Sequence, residues 1–218
     1  ITDNLDRGYK NLSFDILDLI TDDGPNYYDR IQLGPLNNQS LRTKLVDELL
    51  INFKPDLIIE TGTFLGDSTE FFGNYSKVLS VEKSKLYYLL SKSRFINNNV
   101  IEIKRGDSKD VLRNIKLFDN KIFFYLDAHW GQEMPLKEEI DYITSNFKNY
   151  IICIDDFAVP NDSSWGYDIY DDVKLDINLI NLNKELYIFF PSYNASKESG
   201  EKRGTVFITN KDSHNKIF

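Results

Sequence analysis

Short apolar runs alternate along the chain with stretches that have helical spacing. The runs are rich in β-branched and aromatic residues, and five of them come before position 160: 57–60, 78–82, 100–103, 122–127 and 151–155. A polar or turn-forming loop follows each run, and helical spacing then begins. Strands that alternate with helices predict a parallel sheet covered by helices on both faces.

The spacing of apolar residues three and four positions apart is typical of amphipathic helices. Before the first strand it predicts a helix with Ser40 available as its N-cap, whose apolar positions are Leu41, Leu45, Val46, Leu49 and Leu50. After the second, third and fourth strands the residues with helical spacing are Leu86, Leu89, Leu90 and Ile96, then Val111, Leu112 and Ile115, then Leu136, Ile140 and Ile143.

The last third of the chain departs from this alternation. Two apolar runs, 186–190 and 205–209, are joined by a polar segment without helical spacing. Because a parallel crossover usually needs a helix, these runs are expected to pair antiparallel. The predicted fold class is therefore α/β, a doubly wound sheet of five parallel strands plus a C-terminal antiparallel hairpin. Residues 1–40 are expected to form an N-terminal cap segment, and 41–218 a single domain.

Composition narrows the classes of function. A chain of 218 residues, 41% of them hydrophobic, can build one sizeable core. The net charge of -8 argues against a nucleic-acid partner, which clustered Lys and Arg would bind. Cys153 is the single cysteine and lies among isoleucines, which predicts a buried thiol and a reducing, cytoplasmic compartment. No apolar run approaches the ~20 residues that cross a bilayer, so no membrane partner is expected.

The first apolar run ends in an acid and opens into a glycine loop. Gly62 and Gly66 allow the backbone to approach a ligand at the carboxyl end of the strand. A phosphate-binding P-loop would need Lys where Asp67 stands, and the dinucleotide pattern would need a third glycine. Glu60 instead favours a cationic or polar ligand, such as the methionyl ammonium of S-adenosylmethionine.

Acids also stand at the ends of the second and third runs. Glu82 follows Glu60 at the spacing at which nucleoside-binding α/β folds place an acid on the ribose hydroxyls. Asp107, with Ser108 beside it, could accept a hydrogen bond from an adenine amino group. Both acids keep a simpler alternative, because Glu82 could be an exposed strand end and Asp107 could only cap a helix.

Three carboxylates are expected together at the ends of the fourth and fifth runs, those of Asp127, Asp155 and Asp156. They would repel one another unless they are protonated or bridged by a cation. Oxygen ligands suit Mg²⁺, Mn²⁺ or Ca²⁺, and a bound ion could lower the pKa of a substrate hydroxyl. The alternative is that only one of these acids faces the site while the others cap helices or face solvent.

His129 follows the fourth run and is one of two histidines. It could take a proton from an alcohol or bind the metal or the substrate, or it could pack beside Trp130. The loop after the fifth run carries Trp165 and Tyr167 among turn-forming residues. Such a loop could form a lid for a carbohydrate or another polyhydroxylated acceptor, or its aromatic residues could dock it onto the core.

Taken together, these segments resemble class I S-adenosylmethionine-dependent methyltransferases. The similarity is carried by 60–69, Glu82, 106–108, 126–130 and 154–157, and it covers roughly residues 40 to 210. Within that class the chain is most similar to macrocin-type sugar O-methyltransferases and their cephalosporin hydroxylase-like relatives. The glycine loop departs from many methyltransferases because it lacks a third glycine.

The resemblance implies a Rossmann-like, seven-stranded fold that binds S-adenosylmethionine. It places Glu60, Gly62 and Thr63 by the methionine part of the cofactor and Glu82 by the ribose, with the adenine near Asp107. The predicted cofactor-binding residues are Glu60, Gly62, Thr63, Phe64, Gly66, Ser68, Thr69, Glu82, Asp107, Ser108 and Asp127.

The resemblance also implies a site for Mg²⁺ or another divalent cation. Its predicted ligands are Asp127, Asp155 and Asp156, and either Asp127 or His129 would be the base that deprotonates the acceptor hydroxyl. The predicted function is transfer of a methyl group from S-adenosylmethionine to a hydroxyl of a sugar or another polyhydroxylated small molecule. Two alternatives are a metal-dependent hydrolase and a non-catalytic nucleoside-binding module. The expected partner is a small-molecule acceptor such as a glycan precursor, and a homo-oligomer is compatible with the sequence.

Overall fold

Nine strands form in the part of the chain that the computed structural model describes, residues 34–129, 134–180 and 185–217. In chain order they are β1 (Leu57–Thr61), β2 (Val78–Glu82), β3 (Ile101–Arg105), β4 (Lys121–Leu126), β5 (Asn149–Ile154), β6 (Ile169–Tyr170), β7 (Val173–Lys174), β8 (Leu186–Phe189) and β9 (Val206–Asn210). Seven of them build one sheet in the order β3-β2-β1-β4-β5-β9-β8, and β6 pairs with β7 separately.

The sheet confirms the predicted fold class. Strands β1 to β5 run parallel, and β9 lies antiparallel between β5 and β8. The short β6–β7 hairpin was not predicted. The predicted cap falls largely on residues 1–33, outside the described residues, and stays a prediction. Within the described ranges no helix is long and apolar enough to cross a membrane.

The same described ranges contain six α-helices: α1 (Ser40–Phe53), α2 (Asp67–Phe72), α3 (Lys85–Arg94), α4 (Ser108–Arg113), α5 (Leu136–Asn146) and α6 (Lys211–Ile217). Single 3₁₀ turns lie at Pro35–Asn38, Ile177–Leu179 and Ala195–Lys197. Helices therefore follow β1 to β4, as the alternation predicts.

The two faces of the sheet carry separate apolar cores, because successive strand residues point to opposite faces. Ile59 faces a core that Leu136, Ile140 and Ile143 of α5 cover. Ile58 faces the other core, which is covered by Val46, Leu50 and Phe53 of α1 together with Phe72 of α2. Cys153 belongs to this second core and is fully buried, as predicted.

Helix α3 buries fewer of its apolar side chains than their spacing along the sequence predicts. Ile96 lies beyond the end of the helix and is 74% exposed, while Leu89 is 52% exposed. The buried positions are Ser91 and, just past the helix, Phe95. Helix α3 packs on β2 and on β3, which is the edge strand, so the sheet offers it only a narrow apolar surface.

Helix α1 is capped from a distant part of the chain rather than by Ser40. Ser40 is itself the first helical residue, and the preceding residue gives no side-chain cap. The carboxylate of Glu198 accepts hydrogen bonds from the backbone N–H groups of Leu41 at 2.9 Å and Arg42 at 3.0 Å. A carboxylate at this end also complements the positive pole of the helix dipole.

Candidate functional site

The strand order reverses between β1 and β4, and a ligand crevice forms at such a reversal, outside the carboxyl ends of the strands. Thr61 pairs with Leu126 in register, so Gly62 and Asp127 stand side by side just beyond the paired ends. A Cβ on Gly62 would come within 2.2 Å of the Asp127 carbonyl oxygen, and the φ of Gly62 is +85°. Only glycine lets the loop pass this close to β4.

Glu60 lies beneath the glycine loop and is only 1% exposed. Its Oε2 accepts hydrogen bonds from the hydroxyl of Thr69 and, at 2.5 Å, from the hydroxyl of Ser80. Burial raises the pKa of Glu60 to about 7, although these two hydroxyls oppose part of the rise. Ser80, which was not predicted, therefore helps to hold the acid inside the fold.

Of the other loop residues predicted to bind the cofactor, some are buried and others lie nearer the surface. Thr63 is buried, with its hydroxyl 2.6 Å from that of Ser80. The hydroxyl of Ser68 accepts a hydrogen bond from the backbone N–H of Leu36 at 3.0 Å. Gly66 turns the chain into α2 with a φ of +88°. Of these side chains, Thr63 and Ser68 already have partners within the protein.

Glu82 joins the end of β2 to the glycine loop. Its Oε2 accepts a hydrogen bond from the backbone N–H of Phe64 at 2.9 Å, and its Oε1 accepts one from that of Ser84 at 2.8 Å. Burial raises the pKa of Glu82, whereas the backbone donors favour its charged form. The backbone of Thr63 and Lys83 also contributes to stabilising this carboxylate. Beside it, the ring of Phe64 is partly exposed and packs on Tyr87 with centroids 4.6 Å apart.

Asp107 is the N-cap of α4, so the helix-capping role predicted for it is present. Its Oδ1 accepts a hydrogen bond from the backbone N–H of Lys109 at 3.1 Å, and its Oδ2 lies 3.2 Å from Lys83 Nζ. Burial raises the pKa of Asp107, but the contacts with Lys83 and Lys109 outweigh it and the net shift is downward. Ser108 is buried beside it. Contact of these two residues with an adenine stays a prediction.

Asp155, one of the three predicted metal ligands, is buried and bound to other side chains. Its carboxylate is 1% exposed, and Oδ1 lies 2.5 Å from Nη1 of Arg42, which is equally buried. Its Oδ2 accepts hydrogen bonds from the Tyr125 hydroxyl at 2.5 Å and from the Asn37 side chain at 3.0 Å. These donors already neutralise and saturate the carboxylate, so Asp155 anchors Arg42 in the core.

Asp127, His129 and Asp156 form the group that can converge on a cation. One ligand atom from each lies within 4.8 Å of the others. His129 Nε2 is 3.8 Å from Asp127 Oδ1 and 3.8 Å from Asp156 Oδ2. His129 is 3% exposed, and neither of its ring nitrogens has a hydrogen-bond partner among the described residues. This group contains Asp127 and Asp156 of the predicted metal ligands but not Asp155, and the metal site itself stays a prediction.

The two acids of this group differ in charge state. Burial and the neighbouring charges of Asp155 and Asp156 raise the pKa of Asp127 well above its ordinary value. Burial acts in the same direction on Asp156, but its contacts with His129 and Arg203 outweigh burial and lower its pKa to about 2. Asp156 is therefore the permanent carboxylate, and Asp127 is the acid that readily holds a proton.

Arg203 connects this group to the loop after β5. Its Nε donates to Asp156 Oδ1 at 2.5 Å, and its Nη2 pairs with Asp168. The hydroxyl of Tyr170 lies 2.7 Å from Asp168 Oδ2 and 3.0 Å from the carbonyl oxygen of His129. The Tyr170 ring also packs edge-on against the His129 ring. This network fixes the loop against the site.

The two aromatic residues predicted on this loop have different surroundings. Trp165 is 2% exposed and packs against Tyr193 with centroids 5.6 Å apart. Tyr167 is partly exposed, and the ammonium of Lys174 lies 4.3 Å from its ring centroid. Trp165 therefore docks the loop onto the core, which was the alternative prediction.

Glu139 of α5 is a buried acid of the site that was not predicted. It is 1% exposed, and neither carboxyl oxygen has a hydrogen-bond partner among the described residues. Burial raises the pKa of Glu139 to about 7, and the nearby Ser108, His129 and Thr61 oppose the rise. The Thr61 hydroxyl is likewise buried without a partner in the described part of the chain. Glu139 thus lies near the side chains of Ser108, His129 and Thr61.

Comparison with known proteins identifies the fold. No protein-family model and no curated protein matches the chain. Among solved structures it is similar to an O-methyltransferase from Bacillus cereus in complex with S-adenosylhomocysteine, with a TM-score of 0.59 and 16% identity over 85% of this chain and 86% of that one. It is also similar to the O-methyltransferase TomG from Streptomyces achromogenes in complex with S-adenosylmethionine. The TM-score is 0.59, and the sequence identity is 13% over 85% of both chains. A third similar structure is a Podospora anserina methyltransferase bound to S-adenosylhomocysteine, with a TM-score of 0.57 and 12% identity over 97% of this chain and 87% of that one. The chain therefore has the fold of these methyltransferases.

Proposed function

We propose that the protein is an S-adenosylmethionine-dependent O-methyltransferase that acts on a hydroxyl of a sugar or another polyhydroxylated small molecule with the help of a divalent cation. One observation carries the proposal. The edge of the sheet that presents the glycine loop and Glu82 also presents the Asp127, His129 and Asp156 group, in a fold shared with methyltransferases that bind this cofactor.

The residues on the cofactor side fit such a ligand. Glu82 lies at the carboxyl end of β2, where backbone donors of the glycine loop hold its carboxylate, and there it would accept hydrogen bonds from ribose hydroxyls. The exposed face of Phe64 offers an apolar contact beside it. Gly62 and Thr63 border the methionine end in this proposal, and Asp107 with Ser108 borders the adenine.

The donors on the other side fit a divalent cation. His129 is a buried imidazole without a partner among the described residues, facing two carboxylates. Asp127, His129 and Asp156 would hold the ion, and the imidazole makes Mn²⁺ as suitable as Mg²⁺. When bound, the ion would lower the pKa of the acceptor hydroxyl.

The protein's own part in the reaction is alignment and proton removal. The sulfonium methyl group is already electrophilic, so the site must hold the acceptor oxygen in line with it. Asp127 or His129 would take the hydroxyl proton. Arg203 and Asp168 add polar groups that suit a hydroxyl-rich acceptor. The buried, single Cys153 supports a reducing, cytoplasmic location as part of this proposal.

Calorimetric titration with S-adenosylhomocysteine, with and without Mn²⁺ or Mg²⁺, tests this function. We expect micromolar binding that is lost in Glu82→Ala and kept in Glu102→Ala, because Glu102 is exposed on the edge strand β3. Asp156→Asn should keep cofactor binding and lose metal binding.

The other outcomes point to the other functions. No binding of S-adenosylhomocysteine under any condition would rule out a methyltransferase and favour the metal-dependent hydrolase. Cofactor binding without metal binding, and without methyl transfer to any member of a sugar panel, would favour the nucleoside-binding module.

A further inference from the structure

A cavity of about 290 Å³ lies between α1 and the β8–β9 pair. Close packing leaves few voids larger than a water molecule inside a protein, and about 150 Å³ is already enough room for a benzene molecule. The wall of this cavity is mostly apolar and includes Leu45, Leu49, Phe189, Phe190, Tyr193 and Phe207. The described residues therefore leave room here for a further group of apolar side chains.

The cavity is separate from the proposed cofactor and metal site. Thr209, which lines it, pairs with Ile151 near the amino end of β5, whereas Asp156 follows the carboxyl end of that strand. Among the described residues that line the cavity, none belongs to the predicted site. The proposed function therefore does not explain it.

Helix α1 turns a second apolar stripe toward this cavity. Its buried stripe runs through Val46 and Leu50. Leu45 and Leu49 are one turn apart, line the cavity and are only partly buried against the core. Ile51 is 54% exposed and, two positions after Leu49, stands on the opposite side of the helix. The stripe of Leu45 and Leu49 is thus an apolar surface that the described residues cover only in part.

The sequence outside the described residues contains a segment that matches this surface. Within residues 1–33, apolar side chains concentrate at 12–20, where six of nine residues are aliphatic or aromatic. Leu12, Ile16, Leu19 and Ile20 recur there with helical spacing. Apolar residues at this spacing form one face that needs another apolar surface to cover it.

The connection between this segment and α1 is long enough to reach the cavity. Gly34 lies beside Asn38, since a Cβ on Gly34 would be 2.9 Å from Asn38 Oδ1, and α1 begins two residues later at Ser40. Leu49 is about 14 Å farther along the helix axis. Residues 21–33 can span about 45 Å when extended.

We propose that residues 12–20 dock into the cavity between α1 and the β8–β9 pair and cover the second apolar stripe of α1. Docking removes the apolar side chains of both surfaces from water. The segment then contacts Tyr193, whose hydroxyl donates to Glu198 Oε2 at 2.9 Å and whose ring packs on Trp165. Because Glu198 caps α1 and Trp165 docks the loop after β5, the segment supports both elements.

Crosslinking of paired cysteines in the full chain tests this docking without cofactor or metal. Ile16→Cys with Leu49→Cys should form an intramolecular crosslink with a short bismaleimide several-fold faster than Ile16→Cys with Ile51→Cys. Both pairs share nearly the same tether, so the chain connection alone gives them the same effective concentration. Cys153 is fully buried and should not react, which the unmodified protein verifies.

Urea unfolding of the full chain gives a second measurement that needs no introduced cysteine. Ile16→Asp places a charge in the apolar contact and should lower the urea midpoint. Asn11→Asp is the matched control, because Asn11 shares helical spacing with Asp15 and Asp18 and so adds the same charge on the polar side of the segment. It should leave the midpoint unchanged.

Three results would overturn the inference. Equal crosslinking of the Leu49→Cys and Ile51→Cys pairs, together with an unchanged midpoint for Ile16→Asp, would show that the segment does not occupy the cavity. Crosslinks between two molecules rather than within one would assign the cavity to a second copy of the chain. No crosslink in either pair, again with an unchanged midpoint, would leave a small apolar molecule as the occupant.

Discussion

Asp155 and Asp156 are adjacent, yet different cations neutralise them. Arg42 pairs with Asp155 inside the core, where both side chains are 1% exposed. Arg203 pairs with Asp156 at the site, where the side chains are 27% and 19% exposed. A fully buried ion pair and a partly exposed one respond differently when one of the two partners is removed. The two aspartates should therefore separate stability from ligand binding.

We expect Asp155→Asn to lower the free energy of unfolding by about 3 kcal/mol, because it leaves the Arg42 charge buried without compensation. Asp156→Asn should cost less, about 1–2 kcal/mol, because Arg203 keeps its pair with Asp168, but it should weaken Mn²⁺ binding at least about tenfold. Urea unfolding and Mn²⁺ titration of both variants check this. Equal losses of stability, or loss of Mn²⁺ binding in Asp155→Asn alone, would contradict the assignment.

Glu60 makes stability depend on pH. Its pKa is about 7 in the fold against an ordinary value of 4.5, so folding favours the protonated acid. The stabilisation is complete below about pH 4.5 and is lost as the pH rises through about 7. The shift corresponds to about 3 kcal/mol at most.

Glu60→Gln should therefore gain stability relative to the unmodified protein on going from pH 5 to pH 8, by up to about 3 kcal/mol. Urea unfolding at both pH values measures the difference, and the contributions of other acids cancel because both proteins contain them. Glu102→Gln, on the exposed side of β3, is the control and should show no such change. A stability difference for Glu60→Gln that is equal at both pH values would show that the fold does not raise the pKa of this acid.

The acids at the strand ends could be predicted because parallel strands end together, whereas the charged residues that the helices contribute, Arg42 and Glu139, were not. Arg42 stands on the apolar stripe of α1, one turn before Val46. Glu139 stands on the stripe of α5, three residues after Leu136. A charged residue on a buried stripe was the available signal. Spacing alone does not say which opposite charge it meets, since Asp155 lies 113 residues from Arg42.

At the scale of elements, local pattern predicted the strands better than the helix boundaries. Buried strands are short apolar runs, so their limits are visible in the sequence. Helix α3 ends before Ile96 because the edge of the sheet gives it little to cover. The cap of α1 depends on Glu198, and a contact made across the chain leaves no mark in the helix sequence.

The capping of α1 can be tested with two matched variants. Glu198→Ala should lower the free energy of unfolding by about 1–2 kcal/mol, because it removes the acceptor for two backbone N–H groups of the first turn. Ser40→Ala should cost less than about 0.5 kcal/mol, since the Ser40 hydroxyl caps no backbone group. Urea unfolding at neutral pH compares them. A larger loss for Ser40→Ala would restore the cap that the sequence predicts.

At the scale of the whole molecule, the site has a cofactor half, the glycine loop with Glu82, and a metal half, the group of Asp127, His129 and Asp156. The two halves meet at one contact. The glycine loop continues β1, while across the reversal of strand order Asp127 and His129 follow β4 and Asp156 follows β5. Gly62 touches the backbone of Asp127 there. Any residue with a side chain at this point must separate the two strand ends.

Gly62→Ala should therefore damage both halves of the site together. The new Cβ would lie 2.2 Å from the Asp127 carbonyl oxygen at a φ of +85°, and an L-residue in that region alone costs about 1–2 kcal/mol. Gly73→Ala is the control, because the φ of Gly73 is -60° and its Cβ would meet the flexible end of the Ile101 side chain at 3.0 Å and the Glu70 carbonyl oxygen at 3.3 Å. We expect a stability loss of more than about 2 kcal/mol for the first variant and less than about 1 kcal/mol for the second.

The same pair of variants also tests whether the two halves form one site. In calorimetric titrations Gly62→Ala should weaken binding of S-adenosylhomocysteine and of Mn²⁺, because displacing the loop moves both the glycine backbone and the start of the Asp127 segment. Gly73→Ala should keep both. If Gly62→Ala loses one ligand and retains the other at full affinity, the loop and the acid group act independently, and the single crevice at the strand reversal is the wrong description of the site.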